Sequence, residues 1–427
     1  MPVLRTKRTL PLRVDARETP AADAAQRLAG PGFALEAPAV IGELQAALAQ
    51  LLAAAPAEIT KAVHVERAFA IDHQTGWQVY QIVTAENPLA VVGHVPSPTA
   101  IQRLIKSAAR RRVAAEVVQR TVDAYEAFDA LVRDHAPDRA EFDGMVRALL
   151  PEERQKQWLT SKQAVFKGVS QIRGVAIDTL LQARFLYPSA DGAHIDAISL
   201  NAEIGLRRLQ PAAKIGFGIM PLSAGAFRAK TLDGVISEGP TSLLLPEFCS
   251  QPMPQFETME IEGAMHYWIV GNDMGLRSAI DLTTAYRAEA RWPRVREVGG
   301  KQHVGVHEVL DVPAGRLTFD VFAHQDLFGG ASPELAVYQT IAHGVVHQIG
   351  DPKREDDRLQ LGDAVHPIAG GVAGAGLGHA PAYQRMLNAA CERTGFRPAL
   401  FRGWRVDVMY PFYGAQYSIR FALPAGT

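Results

Sequence analysis

Near residues 187–192, YPSADG, the hydrophobic period of this chain changes, and the change narrows the range of folds open to it. Before this point apolar residues recur at steps of three and four, the period of an amphipathic helix. After it come short apolar runs that alternate with polar residues and are bounded by Gly and Pro, as in β-strands. We therefore expect a mixed fold, with an all-α N-terminal half followed by an α+β, strand-rich C-terminal domain.

The length of the chain and its local breaks predict four segments. At 427 residues the chain exceeds what one core usually serves, and 48% hydrophobic residues are enough to fill two or three cores. The predicted segments are a partly ordered basic arm at 1–38, a helical domain at 39–150, a long connecting helix at 151–187 and the α+β domain at 188–427. Within the last segment, helices are predicted at 275–292, 332–350 and 381–395.

The overall charge is nearly balanced. The chain carries 44 Lys and Arg against 45 Asp and Glu, a formal net charge of −1. This excludes a protein that coats nucleic acid or a charged membrane with its whole surface, so either partner would need a local patch. Residues 1–187 hold 23 basic and 20 acidic residues, and the remainder holds 21 and 25. The N-terminal half therefore carries the sign of charge that DNA binding requires.

The cysteines and the N-terminal residues bear on the compartment. Cys249 and Cys391 are far apart in sequence, which predicts neither a disulfide framework nor a thiolate zinc site. The first residues, MPVLRTKRTLPLR, are basic but lack the apolar core of a signal peptide. No apolar run reaches the length of about eighteen residues that is typical of a membrane-spanning helix. We expect a cytoplasmic protein that does not associate with membranes.

Residues 59–85, ITKAVHVERAFAIDHQTGWQVYQIVTA, predict two short helices joined by a tight polar connection. Thr60 can cap a first helix that ends near Ala70. Asp72 and the two residues after it supply turn chemistry, and Thr75 opens the second helix. Two ordinary helices of a helical domain would give the same pattern.

This stretch resembles the helix-turn-helix pattern of bacterial and phage DNA-binding regulators. It differs from that pattern at Glu66, where a small residue is usual, and at Gly76, where a branched apolar residue is usual. The resemblance implies that the second helix lies in a major groove of duplex DNA, with its amide and hydroxyl side chains toward the base edges. Those side chains are Gln74, Thr75, Gln78 and Gln81, while Trp77 belongs to the predicted apolar side.

A dense basic cluster follows within residues 98–136, which predict a single helix opened by Ser97 or Thr99. Five cations fall within ten residues of this helix: Arg103, Lys106, Arg110, Arg111 and Arg112. Cations placed just after a reading helix suit contacts with phosphates, which supply affinity without sequence information. A solvated helix face would show the same residues.

The C-terminal half offers a few candidates for chemistry. His343 and His347 are four apart on a predicted helix, a spacing that suits metal ligation, but the stretch HGVVH lacks the Glu of a zinc-protease motif. His324 lies at a strand-to-loop corner, where acid-base groups often sit. The glycine-rich segment 370–378 lacks the Lys-Ser/Thr of a phosphate-binding loop, and no G-x-S-x-G occurs. We predict no catalytic residue, metal or cofactor.

These patterns favour a DNA-binding transcriptional regulator whose partners are duplex DNA and a second copy of the chain. Its C-terminal domain would serve dimerisation or sensing. An enzyme with a site around His324, His343 and His347 is the first alternative. A self-assembling structural protein of the phage type is the second.

Overall fold

A computed structural model describes residues 32–222, 229–296, 302–347 and 351–426. The chain divides into two compact units, Met1–Gln157 and Trp158–Thr427. The first is helical and the second is strand-rich, so the predicted α and α+β halves are confirmed. Among the described helices, none has both the length and the apolar character needed to cross a membrane.

Short connections join the helices of the first unit. They are α1 (Phe33–Ala53), α2 (Ala62–Phe69), α3 (His73–Thr84), α4 (Pro98–Arg110), α5 (Ala115–His135) and α6 (Arg139–Ala148), followed by α7 (Pro151–Arg173) across the division between the units. A 3₁₀ segment, Pro88–His94, lies between α3 and α4. The unit closes around one apolar core, in which Leu48, Phe69 and Phe128 are almost completely buried.

The helical unit differs from the prediction at the boundary between the predicted arm and the helical domain. Residues 1–31 of the predicted basic arm lie outside the described residues, whereas the end of that arm is the start of α1. Phe33 packs against Phe142 at a ring-centroid distance of 5.8 Å, which holds this start in the core. Pro38 is accommodated because its missing N–H would bond to the carbonyl of Ala34, an exposed residue that water can solvate.

The described strands of the second unit form three sheets. They are β1 (Val175–Pro188), β2 (His194–Arg208), β3 (Ile215–Pro221), β4 (Phe256–Ile261), β5 (Ala264–Ile269), β6 (Ile280–Pro293), β7 (His303–Val309), β8 (Ala314–His324), β9 (Glu334–Gln339), β10 (His366–Ile368), β11 (Phe401–Met409) and β12 (Ala415–Ala422). The sheet orders are β10-β11-β8-β1-β2-β6, β7-β12-β9 and β3-β5-β4. Strands β1 and β8 pair in parallel, and the other neighbouring strands are antiparallel.

The six-stranded sheet is buried on both faces. On one face, Phe319 and Val406 share an apolar core with Tyr417 and Ile419 of the three-stranded sheet that contains β12. On the other face, the helix α8 (Tyr383–Thr394) packs its buried side over residues such as Phe185. Helix α8 confirms the helix predicted at 381–395.

Three segments predicted as helix are strands. Strand β1 occupies the last part of the predicted connecting helix 151–187, β6 replaces the helix at 275–292, and β9 stands within 332–350. The burial of β1 explains the error, because most of its residues are buried on both faces of the sheet and the run therefore lacks the polar alternation of a half-exposed strand.

The turn at 187–192 joins two strands of one sheet. It is the hairpin connection between β1 and β2, in which the Asp191 carboxylate accepts hydrogen bonds from the backbone amides of Ala193 and His194 at 2.8 and 3.0 Å. The compact units instead divide after Gln157, within α7. The N-terminal run of helices ends at Arg173, so the turn at 187–192 marks neither the end of that helical structure nor the change of unit.

Candidate nucleic-acid interface

Helices α2 and α3 form the predicted pair with a three-residue connection. Helix α2 ends at Phe69, and Ala70 takes the left-handed conformation with φ 47°, which turns the chain. Asp72 is the N-cap of α3, and its carboxylate accepts the backbone amide of Thr75 at 2.9 Å. The hydrogen bonds from the Thr75 amide and hydroxyl hold the pKa of Asp72 below its usual range. The second helix therefore begins at His73, two residues earlier than predicted.

Gly76 is the point at which α3 crosses α2. A methyl group on Gly76 would lie 3.2 Å from the Glu66 backbone nitrogen and 3.3 Å from its Cβ, so the missing side chain at this residue favours the close approach of the two helices. The small residue expected on the first helix of a helix-turn-helix is thus supplied by the second helix. The sequence showed the departures at both positions but gave no sign that these two residues meet.

The faces of α3 agree with the prediction only in part. Gln74 is exposed and Gln78 and Gln81 are half-buried. Thr75, by contrast, is 2% exposed, and its hydroxyl donates to the Asp72 carboxylate, so it does not face solvent as predicted. Trp77, expected on the apolar side, is 40% exposed and lies among the glutamines. We call Gln74, Trp77, Gln78 and Gln81 the glutamine face.

Two side chains hold α3 in place, and neither was selected from the sequence. The Gln45 amide on α1 donates to the carbonyls of Ile82 and Ala85 at 2.8 Å each and so caps the C-terminal end of α3. The Tyr80 hydroxyl donates to the carbonyl of Thr60 at 2.9 Å. A Gln within an apolar helix carries no sequence signal for such a cap.

Helix α4 and the turn that follows it carry the basic cluster. Ser97 caps the helix as predicted, and its buried side contains Ile101, Leu104 and Ala108. The five cations are all exposed. We call this set the basic surface; its members are Arg103, Lys106, Arg110, Arg111 and Arg112.

The predicted single helix over 98–136 is broken after α4. Arg112 adopts the left-handed conformation with φ 61°, and its amide donates to the carbonyl of Ala109 at 3.1 Å. The amide of Val113 donates to the carbonyl of Ala108 at 3.2 Å, and the Val113 side chain is buried. These two bonds make a Schellman motif, which normally has Gly in the left-handed position. The break was missed because an Arg occupies that position.

The start of α3 and the basic surface are adjacent. Arg103 Nη1 lies 3.5 Å from Asp72 Oδ2, and both side chains are largely exposed. The Ser107 hydroxyl donates to the carbonyl of Phe69 at the end of α2, which fixes α4 against the turn. Lys106 and Arg110 stand three and seven residues after Arg103 and therefore lie on the same side of α4. The structure thus brings together the two sets of residues that the sequence placed about thirty residues apart.

Charge is segregated within the helical unit. Residues 59–113 contain seven Lys and Arg against three Asp and Glu, a net charge of +4, whereas residues 114–157 contain six against ten, a net charge of −4. Within the described part of the chain, no ion pair involves Lys106, Arg110, Arg111 or Arg112. These cations are available to a ligand of negative charge.

The histidine candidates of the second unit do not converge. His343 and His347 lie in a turn region after β9 and not on one helix, because Gly344 turns the chain with φ 71°. His343 Nδ1 lies 3.0 Å from the Asp357 carboxylate, which also accepts from Arg354. His324 ends β8 as predicted and lies 3.4 Å from Asp326. In the described ranges, no three His, Cys, Asp or Glu side chains are grouped as a metal site would require.

The glycine-rich segment 370–378 has a packing role. A methyl group on Gly371 or Gly374 would collide with the carbonyl oxygen of Phe401 or Ala369, respectively. Arg405 donates to the carbonyl of Ala375 at 2.6 Å and holds the segment against the six-stranded sheet.

Comparison of this chain with protein-family models, with curated proteins and with solved structures gives no significant match.

Proposed function

We propose that residues 59–113 bind duplex DNA, with α3 in the major groove and the basic surface on the phosphates. The observation that carries the proposal is the 3.5 Å contact between Arg103 and Asp72, which puts the cationic side of α4 beside the N-terminal end of α3. A reading helix alone makes few phosphate contacts, and the neighbouring cations supply them.

The dimensions of α3 suit this role. Its 12 residues span about 18 Å at 1.5 Å per residue, and a major groove about 12 Å wide admits an α-helix. The N-terminal end of α3 lies nearest the basic surface, and helix-turn-helix proteins use the N-terminal residues of the second helix for base contacts. Gln74 and Gln78 occupy that part of the exposed side.

Within this proposal the chain is a cytoplasmic transcriptional regulator, and the α+β unit serves dimerisation or sensing. Two copies would place two α3 helices on half-sites about 34–36 Å apart, as in dimeric helix-turn-helix proteins. The two cysteines are both free thiols, which suits a reducing compartment. Sedimentation equilibrium over a range of protein concentrations measures the dimer. A monomer at every concentration that saturates DNA would remove the dimer from the proposal.

A salt series on the full chain tests DNA binding. Fluorescence anisotropy with a labelled duplex of random sequence gives log K as a function of log salt for the wild type and for Arg111→Ala. Because each phosphate contact releases condensed counterions, losing one should reduce the slope by about 0.9. The weakening should be equal for unrelated sequences, since phosphate contacts do not read bases.

The matched control is Arg133→Ala. Arg133 is also an exposed helical arginine, 3.5 Å from Asp129 on α5, but it lies in the acidic part of the unit. Its loss should leave the slope unchanged. Equal effects of both variants would show that only overall charge matters, and wild-type protein without salt-dependent binding would refute the proposal.

A further inference from the structure

The chemistry of α3 is narrow for a helix proposed to read DNA. Its sequence, HQTGWQVYQIVT, contains no Lys, Arg, Asp or Glu. The exposed side offers three amides, Gln74, Gln78 and Gln81, and the ring of Trp77. The spacing of these residues, at positions i, i+3, i+4 and i+7, places them along one side of the helix.

From this composition we infer that the glutamine face reads A·T base pairs. The inference rests on the proposed DNA binding and names the sequence class it selects. A glutamine amide has both a donor and an acceptor, so it can accept from adenine N6 and donate to adenine N7 in one bidentate contact. Guanine presents two acceptors, O6 and N7, and is matched by Arg or Lys, which α3 lacks.

Arg103, the cation that contacts the N-cap of α3, is directed away from the glutamine face. Arg103 faces the Asp72 carboxylate, and Asp72 also accepts from the amide and hydroxyl of Thr75. This arrangement keeps the guanidinium beside the N-cap of α3, where it serves the phosphate side. To bind guanine, the Arg103 guanidinium would have to break its contact with Asp72.

Trp77 gives the face its apolar component. Its ring lies edge-on to His94 of the 3₁₀ segment, with centroids 4.9 Å apart and planes at 70°. Held there with 40% of its surface exposed, the ring can contact the C5-methyl group of thymine, which only A·T pairs display in the major groove. The amides and the ring thus favour the two bases of the same pair.

Selection from a random duplex library with the full chain tests the inference. We expect enrichment of adenine and thymine at the contacted positions, with the preference over G·C reduced by about 5- to 150-fold in Gln78→Ala, the range of one bidentate contact. Gln119→Ala is the control, since Gln119 is an exposed helical glutamine of α5 that bonds Asp123 at 2.8 Å. It should leave the preference unchanged.

Base analogues in the enriched duplex identify the atoms. Replacing adenine by 7-deazaadenine removes the N7 acceptor, and replacing thymine by uracil removes the methyl group. The first change should weaken binding of the wild type more than binding of Gln78→Ala, which has lost one of the three amides. The second should weaken binding of the wild type more than binding of Trp77→Ala.

The outcomes separate this inference from the function on which it rests. Salt-dependent binding with enrichment of G·C, or with no enrichment, would leave DNA binding intact and overturn A·T readout. Absence of any salt-dependent binding would overturn both. Enrichment of A·T that ignores 7-deazaadenine and uracil would show that the protein reads DNA shape, which also overturns direct readout by the glutamine face.

Discussion

In the α+β unit four arginines of the six-stranded sheet, Arg184, Arg207, Arg316 and Arg405, make ion pairs with carboxylates, whereas in the helical unit most cations of the basic surface make none with the described residues. Arg405 makes a bidentate ion pair with Asp320 across β11 and β8, at 2.8 and 2.7 Å, and Tyr383 also donates to that carboxylate. Arg110 and Arg111 are exposed and make no ion pair with the described residues. The same side chain therefore has two distinct uses in one chain.

This difference distinguishes charged side chains that stabilise the fold from charged side chains that are available to bind a ligand. An arginine whose partner is fully buried stabilises the fold, because its removal would leave an uncompensated charge in the interior. An arginine on an exposed helix side contributes little to stability, so its clustering needs another reason. Substitutions in the two units should therefore change different measurements, and each of the following predictions tests that separation.

The largest effect is expected at Arg405. Arg405→Leu leaves the fully buried Asp320 carboxylate without its cation and should lower the free energy of unfolding by about 3–5 kcal/mol, measured by urea denaturation. The double variant Arg405→Leu/Asp320→Leu removes both charges and should recover much of this loss. If the single variant loses less than about 1 kcal/mol, the pair is not structural and the contrast between the units fails.

Glu203 provides the opposite case to Asp320 within the α+β unit. It is a mostly buried acid with no cation bonded to it among the described residues. Burial and the nearby charges of Asp311 and Glu308 raise its pKa to about 7 from an ordinary value of 4.5. The folded state then binds more protons than the unfolded state between these pH values, so the free energy of unfolding should fall as pH rises through them.

The matching variant is Glu203→Gln. It should be more stable than the wild type at pH 8 by on the order of 2 kcal/mol, and the difference should vanish below pH 4. Parallel urea titrations across this range measure it. Glu308 remains as a second acid with a pKa raised by burial to about 7, so some pH dependence should persist in the variant. An unchanged difference between the two proteins at all pH values would show that Glu203 does not titrate in this window.

The crossing of α2 and α3 predicts a smaller loss at Gly76. Gly76→Val places methyl groups against the backbone of Glu66 and should cost about 1–3 kcal/mol through overpacking, together with loss of DNA binding. Gly42→Val on α1 is the control, since nothing lies within 4 Å of a Cβ at that position. Normal stability and binding in Gly76→Val would mean that the helices do not meet at this glycine.

How far the sequence predicted these features depends on the kind of signal. The existence of α2 and α3 followed from apolar periodicity and turn residues, which are local. The start of α3 depended on which polar residue is its N-cap, and that residue is Asp72 and not Thr75. The contact of Gly76 with Glu66 joins two helices, and a single sequence carries no mark of which glycine meets which backbone.

The error at β1 has a cause in its packing. In β1, Leu181, Ala183 and Phe185 face the core beneath α8, while Leu180 and Leu186 face the core shared with β12. A strand with apolar residues on both faces has no period of two, and its run of apolar residues equally suits a buried helix. The half-exposed strands, such as β7, kept their alternation and were predicted.

The proximity of the basic surface to α3 was predicted as a requirement of DNA binding and could not be derived from spacing. It depends on the turn after α4 as much as on α4 itself, because the Schellman motif at Arg112 ends the helix before α5 begins. Left-handed residues are readily predicted at Gly and seldom at Arg, for which side-chain crowding makes the conformation costly.

That motif gives the smallest of the expected effects on stability. Arg112→Gly relieves about 1–2 kcal/mol of left-handed strain and adds about 0.5–1 kcal/mol of unfolded-state entropy, so it should stabilise the protein slightly, by about 0.5–1 kcal/mol. Arg112→Ala removes the same charge but keeps the strain, and should not stabilise it. Both should reduce the salt slope of DNA binding by about 0.9. Stability and binding would then move in opposite directions in one variant, which a structural arginine such as Arg405 cannot show; a loss of stability in Arg112→Gly would place Arg112 with the structural arginines.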